Sequence, residues 1–258
     1  MRPARLHGLV GLIALALAAA VAFAQSTPMA VPDNAPVQAA PLDEKPATWG
    51  NAEAGQTKAG TCAACHGLDG NAMQQNAPRI AGMPERYIAR QLALYKRGER
   101  TSGLAAVMVA FATPLSAQDM RDLGAWYATQ SAGAGIADDS VIATGPNKGL
   151  KFYQVGERLY RAGDASRDIS SCMACHGPSG GGNPGPAYPS VSGQNAAYVV
   201  RRLEEYRAGT TTVRDATHFN LMARVSKQLT DEEIQSLGSY VQGLHGRRPG
   251  TAAVAAGR

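Results

Sequence analysis

No stretch of this sequence interleaves basic with aromatic residues, none alternates as a β-strand, and none beyond the N-terminal region is long and apolar enough to cross a bilayer. The first absence removes the usual footprint of a nucleic-acid binder. The second excludes a sheet-based fold, and the third a polytopic membrane protein, because a span needs roughly 20 apolar residues. The formal net charge of +5 is also less than it seems, since Arg2 and Arg5 belong to an N-terminal segment expected to be removed.

That segment has the features of a secretory signal. Arg2 and Arg5 supply the positive start, Leu9 to Val21 is an uninterrupted run of Gly, Ala and aliphatic residues, and Ala22-Phe23-Ala24 is a cleavage site of the A-x-A kind. Residues 1–24 are therefore expected to be cleaved after Ala24, leaving an exported, periplasmic protein; a retained signal anchor is the alternative. Residues 25–47 are rich in Pro, Ala and Gln without periodicity and are expected to be a disordered lead. Residues 132–148, small and Gly-rich, are expected to be a linker, and 247–258 a loose tail.

Cysteine is scarce, and all 4 residues fall in two copies of one motif, CAACH at Cys62–His66 and CMACH at Cys172–His176. Cys-x-x-Cys-His is the attachment signature of c-type haem. Two thiols three positions apart can each add to a porphyrin vinyl group, which leaves the adjacent imidazole beneath the iron. Cys62, Cys65, Cys172 and Cys175 are thus candidates to bind two haem c groups, with His66 and His176 as proximal ligands. A four-cysteine zinc site, disulfides, or a thioredoxin-like redox pair use the same residues in other ways. Zinc pairs rarely carry His directly after the second Cys, and the thioredoxin reading lacks alternating strands and helices.

Much else repeats in register with the motifs. Gly67 and Gly70 correspond to Gly177 and Gly180; Pro78, Ile80 and Gly82 to Pro189, Val191 and Gly193; Tyr87, Leu92, Tyr95 and Gly98 to Tyr198, Leu203, Tyr206 and Gly209. Met108, Leu115 and Leu123 likewise match Met222, Leu229 and Leu237. The chain is a duplication with one haem per copy, expected over 48–131 and 149–246. Copies this small have little core of their own, so haem should supply much of the buried surface.

Within each copy the pattern is helical. A short helix is expected around Asn51 to Gly60, with a counterpart around Gly156 to Ala162. Another opens at Pro84-Glu85-Arg86 and ends near Gly98, with Pro early and Gly at its end. The final helix of each copy starts on a capping box, Ser116 with Asp119 and Thr230 with Glu233.

The sixth ligand decides between an open, reactive iron and a closed electron carrier. Met108 and Met222 each lie seven residues before a matched Leu and just before a capped helix, whereas Met73, Met83, Met120 and Met173 find no methionine in the other copy. Met108 and Met222 are the candidates; gap-filling core methionines are the alternative. His218, four residues before Met222, is a rival ligand in the second copy. The carbonyls of Pro78 and Pro189 are candidates to hydrogen-bond the proximal imidazoles, against plain loop geometry. The basic surplus of the second half, Arg201, Arg202, Arg207, Arg214 and Arg224, would either orient a partner or form a solvated face.

With the duplicated CxxCHG, the segments Ile80-Ala81-Gly82 and Val191-Ser192-Gly193-Gln194, the Tyr-containing helix and the Met-x6-Leu-Ser/Thr-x-x-Asp/Glu ending, the chain resembles the dihaem cytochrome c4 family over roughly residues 50–244. The resemblance implies an all-α fold of two tandem class I cytochrome c domains related by a pseudo-twofold axis, each enclosing one covalent haem. It implies His66 with Met108, and His176 with Met222, as axial ligands. It further implies a non-enzymatic, monomeric periplasmic carrier running from a quinol-oxidising bc complex to a haem-copper terminal oxidase, with peripheral membrane association left open. An electron-accepting subunit of a periplasmic dehydrogenase, or a dihaem peroxidase-like enzyme, are the alternatives.

Overall fold

The structure is a computed structural model that describes residues 48–209 and 211–246. The expected signal peptide, Pro/Ala-rich lead and tail lie outside the described residues.

The two copies fold into helices in the same order. In the first these are α1 (Ala52–Lys58), continued by a 3-10 turn over Ala59–Cys62, then α2 (Ala63–His66), α3 (Glu85–Lys96), α4 (Ala105–Ala112) and α5 (Ala117–Ala128). In the second they are α6 (Phe152–Ala162), α7 (Met173–His176), α8 (Ala196–Ala208), α9 (Thr217–Ser226) and α10 (Asp231–Gly243). Among the described residues, strand pairing is confined to isolated antiparallel bridges such as Val141 with Lys151.

Local chemistry sets the helix starts. The Asn51 side chain accepts the Ala54 N–H at 3.0 Å, and both expected capping boxes are present. Ser116 Oγ accepts from Asp119 N at 3.1 Å while Ser116 N donates to the Asp119 carboxylate at 2.9 Å; Thr230 and Glu233 repeat the exchange at 3.2 and 2.9 Å. Each satisfies donors that an uncapped first turn would orphan. α6 begins at Phe152 rather than near Gly156, because Gln154 reaches back to the Lys151 N–H at 2.9 Å.

The first and last helices of each copy cross in backbone contact. A β-carbon on Gly55 would stand 2.0 Å from the Asp122 carbonyl oxygen of α5, and one on Gly156 2.0 Å from that of Ser236 in α10. Around this second crossing Val155, Leu159, Tyr160, Ile234 and Leu237 are buried together. Ile88, Leu123 and Tyr127 form the smaller equivalent core in the first copy, where α4 packs separately through Ala105 and Ala112 on Tyr95.

The segment expected to be a linker is pinned to α10. Gly135 N–H donates to the Gln242 carbonyl at 2.9 Å, Gln242 Nε2 donates to the Ile136 carbonyl at 2.6 Å, and Ser239 Oγ donates to that of Asp138 at 2.9 Å. Its start is tied to the first copy, where Asn71 Oδ1 accepts from Gly133 N at 2.7 Å. Gly193, at φ 64°, is where this strand of chain crosses the second copy: a β-carbon there would stand 1.9 Å from the Gly133 carbonyl oxygen.

Candidate haem sites

Each CxxCH closes a short helix on a buried histidine. Gly67 and Gly177, at φ 75° and 79°, end α2 and α7 in a conformation that suits glycine. His66 and His176 are 7% and 8% exposed. His66 Nδ1 lies 2.8 Å from the Pro78 carbonyl oxygen and His176 Nδ1 2.9 Å from that of Pro189. A carbonyl only accepts, so Nδ1 carries the proton and Nε2 keeps its lone pair for a metal. Burial pushes both imidazoles below their ordinary range despite these bonds, which favours the neutral, ligating form.

The proline segments are held the same way in both copies. The Gly70 carbonyl accepts from Ile80 N at 2.7 Å and Ala81 N at 3.1 Å; the Gly180 carbonyl accepts from Val191 N at 2.7 Å and Ser192 N at 3.0 Å. The expected proline contact is thus a product of the Gly-rich turn, and it is duplicated with the motif.

Two cavities gather the candidate ligands. Cys62, Cys65, His66 and Met108 line one of about 150 Å³. Cys172, Cys175, His176 and Met222 line the other, of about 750 Å³, which runs on between the copies past Met83, Arg100 and Tyr198. The larger is of cofactor size; in the smaller the donor set, not the volume, carries the fit. Among the described residues no three His, Cys, Asp or Glu side chains gather to hold a bare metal ion, and the four cysteines form no disulfide. Burial also pushes the Cys172 thiol up, to about 12, which keeps it protonated and inert as a free thiol. Paired thiols, a pinned imidazole and an apolar wall that includes a methionine fit haem. Bound there, haem supplies an iron that takes up and releases one electron.

Met108 and Met222 sit on α4 and α9, helices not expected from the sequence. Of the unmatched methionines, Met73 is 88% exposed, and Met120 is buried but lines neither cavity. Met83 is buried and lines both. His218 also lines the second cavity, with Nε2 at 2.9 Å from the Pro186 carbonyl oxygen and its ring edge-on to Tyr188.

Sequence reasoning missed the side chains between the cavities. Arg100, 8% exposed, donates to Gln91 Oε1 at 2.7 Å and Tyr198 OH at 3.2 Å and lies 4.8 Å from the centre of the Tyr95 ring. It lines both cavities. The available signal was a break in the repeat, since Thr211 stands opposite Arg100 in the second copy. Arg202 is no solvated charge either: it is paired with Glu205 and donates to Tyr206 OH at 2.7 Å.

The Cytochrome c family model matches residues 52–131 and 154–245, one copy each. The chain is 38% identical to cytochrome c4 of Pseudomonas aeruginosa over 196 residues, 76% of this chain and 90% of that protein. It is 32% identical to the thiosulfate dehydrogenase electron acceptor of Thiomonas intermedia over 197 residues, 76% of this chain and 82% of that one. The crystal structure of reduced recombinant cytochrome c4 from Pseudomonas stutzeri superposes with a TM-score of 0.65 at 35% identity, covering 76% of this chain and 100% of that chain. Matched in each copy separately and by cytochrome c4 proteins across both, this chain belongs to the dihaem cytochrome c4 family, electron carriers with one covalent haem c in each of two helical domains.

Proposed function

We propose that the chain is a periplasmic shuttle with two closed irons, carrying electrons from a quinol-oxidising bc complex to a haem-copper terminal oxidase. Cys62 and Cys65 tether the first haem, ligated by His66 and Met108; Cys172 and Cys175 tether the second, ligated by His176 and Met222. The observation that carries this reading is the repetition of the whole donor set, Cys, Cys, His and Met on one cavity in each domain. A thioether opposite an imidazole leaves no open iron position and raises the potential, as a carrier requires. The Pro78 and Pro189 carbonyls orient the two imidazoles, and the continuity of the second cavity into the face of the first domain favours transfer between the haems. The signal features of residues 1–24 support export, and no described helix is long and apolar enough to cross a membrane.

The test is haem stoichiometry and the ferric near-infrared thioether band of purified protein, compared with Met108→Ala and Met222→Ala. Two haems per chain, with part of the band lost in each variant, is the expected result. One haem, or an intact band in either variant, would overturn the ligand set.

A second reading has a specific observation behind it. The relative from Thiomonas intermedia is named for accepting electrons from thiosulfate dehydrogenase, so this chain would serve a periplasmic dehydrogenase. Reduction of the purified protein by a bc complex, set against reduction by a thiosulfate dehydrogenase, separates the two; the faster donor identifies the route.

A further inference from the structure

We propose that Gln194, a residue of the second domain, tunes the haem of the first domain through the peptide bond between Pro78 and Arg79. The inference rests on His66 being the axial ligand there.

The Pro78 carbonyl and the Arg79 N–H belong to one peptide group. Its oxygen accepts from His66 Nδ1 at 2.8 Å. Its N–H donates to Gln194 Oε1 at 2.8 Å, and Gln194 Nε2 donates back to the Arg79 carbonyl at 2.8 Å. The amide therefore has one orientation, because turning it over would set oxygen against oxygen and N–H against N–H. Gln194 is 3% exposed, so these bonds do not compete with bulk water. Asn195, 1% exposed, fixes the same loop: its Nδ2 donates to the carbonyls of Gln74 at 2.9 Å and Ala77 at 2.8 Å.

Hydrogen bonds in a chain polarise one another. An acceptor on the Arg79 N–H draws electron density along the amide onto the Pro78 oxygen. That oxygen then pulls harder on the His66 Nδ1 proton, and the imidazole becomes more basic at Nε2. A more basic axial ligand favours ferric over ferrous iron and lowers the reduction potential. Gln194 does not line the first cavity and reaches its iron through this peptide, so it is a positioning residue there; on its other side it lines the second cavity.

The device is one-sided. The repeat sets Met83 opposite Gln194 and Pro84 opposite Asn195, and neither has a side chain able to make these bonds. In the second domain the Pro189 carbonyl accepts from His176 at 2.9 Å, yet among the described residues the Ser190 N–H of that same peptide has no hydrogen-bond partner. The two haems share their covalent chemistry and differ here. Docking of the domains therefore contributes to the gap between their potentials, pushing the first haem down through a peptide relay that the second lacks.

The test compares the two haems within one molecule. Gln194→Met places at this position the residue the first domain carries at its own equivalent; Gln194→Glu keeps an acceptor for the Arg79 N–H and charges it. Redox titration followed by proton NMR reads each haem and the His66 Nδ1 proton separately. Gln194→Met should raise the first potential, shifting its ferric/ferrous equilibrium about three- to tenfold, the upper limit being about 59 mV for one electron. The His66 Nδ1 proton should move upfield, the His176 Nδ1 proton should stay put, and the second haem, whose cavity Gln194 lines, should shift less than the first. Gln194→Glu should move the first potential the opposite way, which loosening of the interface cannot do. Equal shifts at both haems, shifts of one sign in both variants, or an unmoved first haem would overturn the proposal. A wild-type His66 ring free of haem-induced shifts would instead overturn the ligand reading, and is scored before any variant.

Discussion

Gly55 of α1 lies against Asp122 of α5 with no room for a side chain: a β-carbon would meet the Asp122 carbonyl oxygen at 2.0 Å. Backbone cannot yield as the end of a flexible side chain can, so Gly55→Ala must push the two helices apart. Overpacking of this kind costs about 1–3 kcal/mol. Gly60→Ala, at a site with nothing within 4 Å, is the control and should change stability by less than about 0.5 kcal/mol. Denaturant unfolding of the two variants checks the difference; equal stability would mean that α1 and α5 do not cross so closely. Gly156→Ala should reproduce the loss in the second domain, where Ser236 takes the place of Asp122.

The same α1–α5 junction predicts an acid dependence. Lys58 Nζ lies 2.7 Å from carboxylate oxygens of both Asp119 and Asp122. Hydrogen bonds from Lys58 and Ser116 hold the Asp119 carboxyl down at about 2, below its ordinary 3.8. The unfolded chain takes up this proton near the ordinary value while the folded chain resists it until about pH 2. Stabilisation is therefore complete above the unfolded value and is lost as pH falls from about 4 to 2. Allowing for solvent screening, the effect is on the order of 1 kcal/mol. Unfolding midpoints measured across this window should fall for the native chain and fall less for Asp119→Asn, which begins from a lower plateau because its cap and ion pair are already weakened.

What was legible in the sequence was covalent or local. The CxxCH pairs reveal the haem because their chemistry depends on spacing alone, and the capping boxes at Ser116 and Thr230 reveal α5 and α10 because both partners lie within one turn. α4 escaped notice for the opposite reason. Its sequence, AAVMVAFA, is apolar on every side, so it carries no helical period to detect. The order of residues 133–142 was hidden because their partners, Gln242 and Ser239, lie about a hundred positions away. Arg100 and Gln194 were hidden likewise: each bonds across the domain boundary, and no periodicity records such a contact.

His218 and Met222 line the same cavity, and a single substitution tells them apart. His218 Nε2 donates to the Pro186 carbonyl and its ring is edge-on to Tyr188, which leaves the buried Nδ1 without a hydrogen-bond partner and able to compete as a ligand. His218→Ala should keep two haems and the full ferric thioether band, with a stability loss of about 1 kcal/mol from the missing bond and ring contact. Loss of a second-haem absorption feature in this variant, with Met222→Ala unchanged, would move the axial role from the thioether to the imidazole.

Arg100 brings a permanent positive charge to the wall of both cavities, with Gln91, Tyr198 and the Tyr95 ring as neutral company and with its Nε unpartnered. A neighbouring cation disfavours the extra charge of ferric iron, so it raises the potential of each haem it faces. At an effective dielectric constant of about 20 and a separation of about 10 Å, a unit charge is worth about 1–2 kcal/mol. Arg100→Met should accordingly lower the potentials by roughly five- to thirtyfold in the ferric/ferrous ratio, with little dependence on salt because the site is sheltered from mobile ions. Arg100→Lys restores the charge without the planar fork that reaches Gln91 and Tyr198, so it should recover most of the potential and little of the stability. Potentials that fall in both variants alike would trace the effect to packing rather than charge.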